Sequence, residues 1–360
     1  MSAAEVTPEA ILAALDTVID PHLGQGLNQA GVVKAIWPGA VPRVEIELGF
    51  PANSLRFELA EAAQKAIELH CGVKAQVQVS TLIQSHAVQA KLAPMPNIKN
   101  IIAIASGKGG VGKSTVAANF ALALKAEGAK VGILDADIYG PSQPRMLGVS
   151  GTKPSSPDGT RMHPVEAHGI QVMSIGFLVA EDQAMIWRGP MVTQALAQLL
   201  NETVWRELDY LIVDLPPGTG DIQLSLSQRI PVSGAVIVTT PQDIALLDAR
   251  KGLQMFRKVE VTVLGVVENM ATHTCSNCGH IDHVFGEGGG ARLAEEYGTE
   301  LLGSLPLARS IREQADGGVP TVVAAPDSDE AKRYRAIARM ATARLAHGVP
   351  VGEFPSIEIV

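Results

Sequence analysis

The chain predicts an α/β fold: a mostly parallel sheet covered by helices on both faces, with a small N-terminal α+β domain ahead of it. Two observations carry this. From residue 100 onward, short continuous apolar runs at 101–105, 131–134, 170–173, 211–213, 235–238 and 261–267 alternate with helical stretches. Continuous apolar runs mark strands buried on both faces, as in a parallel sheet sandwiched between helix layers. Up to residue 92 the pattern is instead helix, paired strands, helix, strand. A length of 360 residues also suits two cores rather than one.

Taken in order, residues 1–92 open with Thr7-Pro8, which supplies a cap and a first turn. Ile11, Leu12, Leu15, Val18 and Ile19 then recur at helical spacing. Residues 32–37 and 44–48 read as paired strands, and 54–69 as an amphipathic helix closed by Cys71-Gly72. Val73, Ala75, Val77 and Val79 alternate with other residues as a half-buried strand. Residues 93–99 form a linker stiffened by Pro94 and Pro96. The α/β domain runs over 100–348, with 140–169, rich in Pro, Gly and Ser, expected as loop. The tail, 349–360, holds two prolines and two acids and carries no structural expectation.

The formal net charge of -8 argues against general binding to nucleic acid or to an anionic membrane. No apolar run reaches the roughly 18 residues of a membrane span. The first residues are acidic and lack Arg, unlike a secretory signal or transit peptide, so a cytoplasmic location is expected.

Gly107-Lys108-Gly109-Gly110-Val111-Gly112-Lys113-Ser114 fits G-x-x-x-x-G-K-S without gaps, and Thr115 follows. It leaves an apolar strand and opens a helix, the context in which backbone N–H groups and a helix N-terminus converge on phosphate oxygens. Lys113 is expected on the β- and γ-phosphates of ATP, and the Ser114 hydroxyl on Mg²⁺. Asp214 ends the run 211–213, where a carboxylate sits at the ligand edge of a parallel sheet and orients Mg²⁺. The Gly218 amide then lies in reach of the γ-phosphate. Asp135 and Asp137 follow the run 131–134, and Asp135 is equally open to a structural capping role. Asn269 ends another strand, where a turn-forming Asn is one reading. The fold class is therefore that of a P-loop NTPase.

Cys275-Ser276-Asn277-Cys278-Gly279-His280 holds the last two of three cysteines. Two thiolates make half of a tetrahedral site. Either histidines among His273, His280 and His283 complete a zinc site in one chain, or a second copy supplies two more thiolates, enough for a 4Fe–4S cluster. Cys71 reads as a small buried hydrophobe.

Lys108, a second lysine early in the loop, resembles the deviant Walker A group of MinD, ParA, nitrogenase iron protein and the Mrp/ApbC carriers. In that group this lysine crosses a dimer to the partner's phosphates, so the resemblance implies a homodimer with Lys108, Lys113 and Asp137 as catalytic residues. Asp137 would position the attacking water and Asn269 would bind adenine. The loop, the segment from Asp214 to Asp221, Trp187-Arg188-Gly189-Pro190, the C-x-x-C and Phe285-Gly286-Glu287-Gly288-Gly289-Gly290 together look like the Mrp/ApbC iron–sulfur cluster carriers. The N-terminal unit resembles the MIP18-type domain often fused to them. It lacks the cysteine of the free-standing version: the region reads Gly49-Phe50-Pro51-Ala52-Asn53-Ser54. The resemblance implies slow ATP hydrolysis, with a 4Fe–4S cluster held by Cys275 and Cys278 at a dimer interface. Scaffold donors and apo recipient proteins are the implied partners, with neither nucleic acid nor membrane. The alternative from another class is a MinD/ParA-like positioning ATPase with the C-x-x-C as structural zinc. The acidic, proline-broken tail fits that reading poorly.

Overall fold

The structure, a computed structural model, describes residues 6–22, 24–89, 92–178 and 189–348, leaving aside the side chains at 189, 190 and 221. Trp187, Arg188 and the tail 349–360 lie outside the described residues.

The N-terminal unit comprises α1 (Pro8–Leu15), β1 (Val33–Trp37), β2 (Arg43–Leu48), α2 (Arg56–Cys71) and β3 (Gln76–Thr81). Thr7 caps α1 by accepting from the Ala10 N–H, with Pro8 in the first turn. The helix stops at Leu15, earlier than the apolar spacing suggests. Val18 and Ile19 fall in the loop beyond it, and Ile19 is exposed. Gly72 ends α2 in the left-handed conformation, where a Cβ would be strained. β1 pairs antiparallel with β2, and β2 parallel with β3. The last strand starts at Gln76, three residues later than the alternation suggests.

The second unit begins with β4 (Ile98–Ala105), which reaches back into the expected linker. Then follow α3 (Lys113–Ala126), β5 (Val131–Asp135), α4 (Gln143–Met146), β6 (Val165–Ala167), β7 (Ile170–Ser174), α5 (Gly189–Glu202) and β8 (Leu208–Asp214). Next come α6 (Asp221–Ser227), β9 (Gly234–Thr239), α7 (Asp243–Lys258), β10 (Val263–Glu268), β11 (His273–Thr274), β12 (Ile281–Asp282), α8 (Gly289–Glu296) and β13 (Leu301–Ser304). The chain closes with α9 (Arg309–Asp316), α10 (Thr321–Ala324) and α11 (Asp329–His347). All six apolar runs form strands. The stretch expected as loop contains α4 and β6, and β13 has no counterpart among the runs.

The main sheet has the order β13-β10-β9-β4-β8-β5-β7-β6, and only β6 runs antiparallel. From β4 the chain passes over β8 to β5 on one side, and β9 lies on the other. The C-terminal end of β4 is thus a topological switch point, the edge where α/β sheets bind ligands. Gly107 lies just beyond it. A Cβ there would meet the Asp248 backbone in α7 at 2.2 Å, so only glycine lets the loop pass.

The two units are joined at the far end of α3. Glu127, 1% exposed, accepts from the Ser54 N–H and Oγ–H and pairs with Arg339 of α11 at 2.7 Å. Ala343 of α11 is buried within the N-terminal core. Among the described residues no helix is long and apolar enough to cross a membrane.

Two outcomes follow. Glu127→Ala strands Arg339 and the Ser54 donors, and is expected to lower stability by about 3 kcal/mol in denaturant unfolding; a change under about 0.5 kcal/mol would refute the clamp. Gly107→Ala is expected to cost about 2 kcal/mol or more through overpacking, while Gly109→Ala, whose added Cβ meets nothing closer than Pro217 at 4.0 Å, stays near wild type. Equal stability of the two variants, measured the same way, would contradict this geometry.

Candidate functional site

Strand register builds the site. Ser174, Asp135 and Asp214 are neighbours across β7, β5 and β8, and Asp214 pairs with Ile104 of β4. Two carboxylates therefore stand side by side at the C-terminal edge, both with 0% exposure. The phosphate loop leaves β4 beside them. Gly112, with φ 81°, caps α3, so Lys113 rather than Ser114 is the first helical residue.

Lys113 is buried, and its Nζ sits 2.5 Å from Asp214 Oδ1, 3.2 Å from Ser114 Oγ and 4.0 Å from Asp137 Oδ2. One ammonium thus faces three predicted site residues. Asp137 is half-buried, and burial raises its carboxyl, opposed by Lys113 and reinforced by Asp214. Asp135 is pushed up to about 7, first by burial and then by the neighbouring Asp214 charge. It accepts from the Gln143 N–H at 3.0 Å, Ser174 Oγ–H at 3.1 Å and the Asp137 N–H at 3.2 Å. Those contacts are those of a cap tying the 136–142 loop to the sheet.

The loop is braced from other elements too. Asn269, at the end of β10, donates Nδ2–H to the Val111 carbonyl at 2.8 Å, and a Cβ on Gly112 would strike that amide at 2.3 Å. The Gly218 N–H donates to the Ser106 carbonyl at 3.0 Å. Gly109, Gly110 and Lys108 are exposed, while Val111 is buried and Thr115 half-buried. A ring of backbone N–H groups at a helix N-terminus is an anion cradle.

Sequence reasoning missed Gln143. It is 0% exposed, and its Nε2 donates to Asp214 Oδ2 at 2.9 Å and to the Ser114 carbonyl at 3.0 Å. Its only signal was a Gln-Pro pair in a stretch that read as loop.

Cys275 and Cys278 occupy a separate place, the tip of the β11–β12 hairpin, in which His273 pairs with Asp282 and Thr274 with Ile281. The Gly279 N–H donates to the Cys275 carbonyl at 2.9 Å, and Gly279 has φ 73°, which makes the turn tight. Cys278 is exposed and Cys275 half-buried; both are free thiols. Backbone N–H groups of Asn277 and Cys278, then the Cys278 thiol, lower the Cys275 pKa, favouring the thiolate that binds metal. His273 Nδ1 is occupied by the Leu307 carbonyl at 3.0 Å, and His283 lies 3.8 Å from Glu287. Among the described residues, no three His, Cys, Asp or Glu side chains converge as a metal site. Three residues separate Asn269, on the phosphate loop, from His273, where the hairpin starts. Cys71 packs partly buried against the N-terminal core.

Residues 97–342 match the family described as NUBPL iron-transfer P-loop NTPase, and residues 8–80 match that described as iron–sulfur cluster assembly protein. An iron–sulfur cluster carrier protein of Pseudomonas fragi is 61% identical over 76% of this chain and 96% of its own. The Escherichia coli K12 protein of the same name is 54% identical over 86% of this chain and 84% of its own. The mouse iron–sulfur cluster transfer protein NUBPL is 52% identical over 71% and 80%. Among solved structures, a nucleotide-binding protein from Archaeoglobus fulgidus in complex with ADP is 41% identical with a TM-score of 0.55, covering 62% of this chain and 88% of that one. The cell division ATPase MinD of Pyrococcus furiosus is 25% identical with a TM-score of 0.52, covering 67% and 97%. Likeness of this extent runs through both the phosphate loop and the cysteine hairpin, and the chain belongs to the family of NUBPL-type iron-transfer P-loop NTPases to which the Mrp/ApbC iron–sulfur cluster carriers belong.

Proposed function

We propose that this protein carries a 4Fe–4S cluster between two copies of itself and passes it from scaffold donors to apoproteins, in the cytoplasm, with slow ATP hydrolysis. The observation that carries the reading is the Cys275–Cys278 pair, half-buried and exposed in turn: two soft thiols at a hairpin tip, with no third ligand converging on them among the described residues. Four thiolates complete a 4Fe–4S site, and two chains supply four. An exposed, shared site also lets a recipient's thiols reach the cargo by ligand exchange, which a closed site would prevent. The names of the relatives support carriage and transfer.

In this reading ATP lies along the loop from Gly107 to Thr115, with Asn269 at the adenine end and the Gly218 amide turning from the Ser106 carbonyl toward the γ-phosphate. Ser114 Oγ and Asp214 are hard oxygen donors that suit magnesium, and Asp214 already holds a cation, the Lys113 ammonium, at 2.5 Å. Magnesium would supply charge neutralisation at the phosphates. Lys113 turns from Asp214 to the β- and γ-phosphates when nucleotide enters. Asp137, beside Lys113, orients the attacking water, and Lys108, exposed on the loop, reaches the partner's phosphates. The short stretch from Asn269 to His273 passes movements of the loop to the cysteines.

Cys275→Ala or Cys278→Ala is expected to abolish the iron–sulfur visible absorption after anaerobic reconstitution, and Cys71→Ala to leave it. ATP binding survives all three. A cluster that persists in either hairpin variant sinks the assignment.

Lys108→Ala is expected to keep ATP binding and lose most hydrolysis, whereas Lys113→Ala loses both. Mixing Lys108→Ala with Asp137→Ala chains restores part of the activity, because a mixed dimer holds one intact composite site. No recovery, with heterodimers demonstrated by differential tagging, would place Lys108 in its own subunit's chemistry or outside it.

A further inference from the structure

We infer that Gln143 is the positioning residue that sets Asp214 for magnesium and makes the 136–142 loop responsive to the metal. The inference rests on the magnesium-nucleotide reading of the site and adds to it a residue outside the phosphate loop and the strand-end carboxylates.

Gln143 opens α4, directly after the loop that carries Asp137. Its backbone N–H holds Asp135 Oδ2 at 3.0 Å, which anchors the residue to β5. Its side chain then bridges two other elements, Asp214 Oδ2 at the end of β8 and the Ser114 carbonyl at the start of α3. One buried residue, through its backbone N–H and its side chain, therefore ties together the three elements whose ends make the metal corner of the site. A reversed amide would set its oxygen against a carboxylate and a carbonyl, so the hydrogen bonds fix its orientation.

Asp214 divides its two oxygens between partners. Lys113 takes Oδ1 and Gln143 takes Oδ2. When Lys113 leaves for the phosphates, Gln143 is the partner that remains. It keeps the carboxylate in its rotamer with Oδ1 released toward the hydrated metal. Without it, a buried carboxylate freed of its lysine is left unheld.

A second observation points to the same place. Gln143 Oε1 is buried and has no hydrogen-bond partner among the described residues, although both donors of the amide are used. A buried amide oxygen seldom goes unpaired. An acceptor beside Asp214 and Ser114 suits the O–H of a water brought in with hydrated magnesium. The loop bearing Asp137 would then be drawn into place by the metal-bearing nucleotide and not by nucleotide alone.

The test compares ATP affinity by titration calorimetry in magnesium and in EDTA, for wild type and for Gln143→Met, which keeps the length and removes the amide. Gln143→Leu serves if the first variant fails to fold. The expected result is EDTA affinity within about twofold of wild type, with the gain from magnesium cut by about tenfold, the scale of one charge-assisted hydrogen bond. A merely structural role would weaken both conditions equally, and that outcome overturns the inference, as does a variant that keeps the full magnesium gain. If wild type itself gains nothing from magnesium, the reading of the metal corner fails instead.

Discussion

The buried pair of Lys113 and Asp214 is the contact on which the nucleotide edge depends. Both side chains are almost fully removed from water, and they stand 2.5 Å apart at the ends of different elements. Breaking such a pair by removing one member leaves a buried charge without a partner, at a cost of about 3–5 kcal/mol. The pair exists because β4 and β8 are adjacent and parallel, so that the loop after one meets the carboxylate ending the other. Sheet order thus decides the site before any ligand arrives. A ligand carrying both negative phosphates and a cation would offer each member of the pair a new partner.

A like-charge problem comes with that arrangement. Register sets Asp135 next to Asp214, and both are dry. Burial and the Asp214 charge raise the Asp135 pKa, and the donors around Asp135 act against that rise. The cysteine hairpin lies at the opposite extreme, exposed and held by two short strands. A buried phosphate edge and an exposed thiol pair, linked by three residues after Asn269, suit a protein in which one site is switched and the other handed over.

Much of this was legible in the sequence because the signals are local. The loop motif, its strand and its helix occupy consecutive residues, and the six apolar runs follow from burial on both faces. Asp214 was readable because a carboxylate ending an apolar strand is rarely tolerated without a ligand or partner. Gln143 was not, because its partners lie 29 and 71 residues away and a glutamine in a Pro-rich stretch carries no pattern. β13 escaped because Leu301 and Leu302 are followed by Gly303 and Ser304, too short an apolar run to stand out. The Glu127 clamp joins residues 54, 127 and 339, a contact that only the folded chain brings together. Helix α1 ended early because Leu15 completes its buried face, and the Asp16 side chain turns to Asn28 and Gln29 in the next loop.

The proposed cargo is a single cluster shared by two chains. Native mass spectrometry of anaerobically reconstituted protein, with iron, sulfide and zinc determined on the same sample, tests it most directly. The expected result is a dimer carrying about four iron and four sulfide and no zinc. A monomer loaded with about one zinc per chain would contradict it.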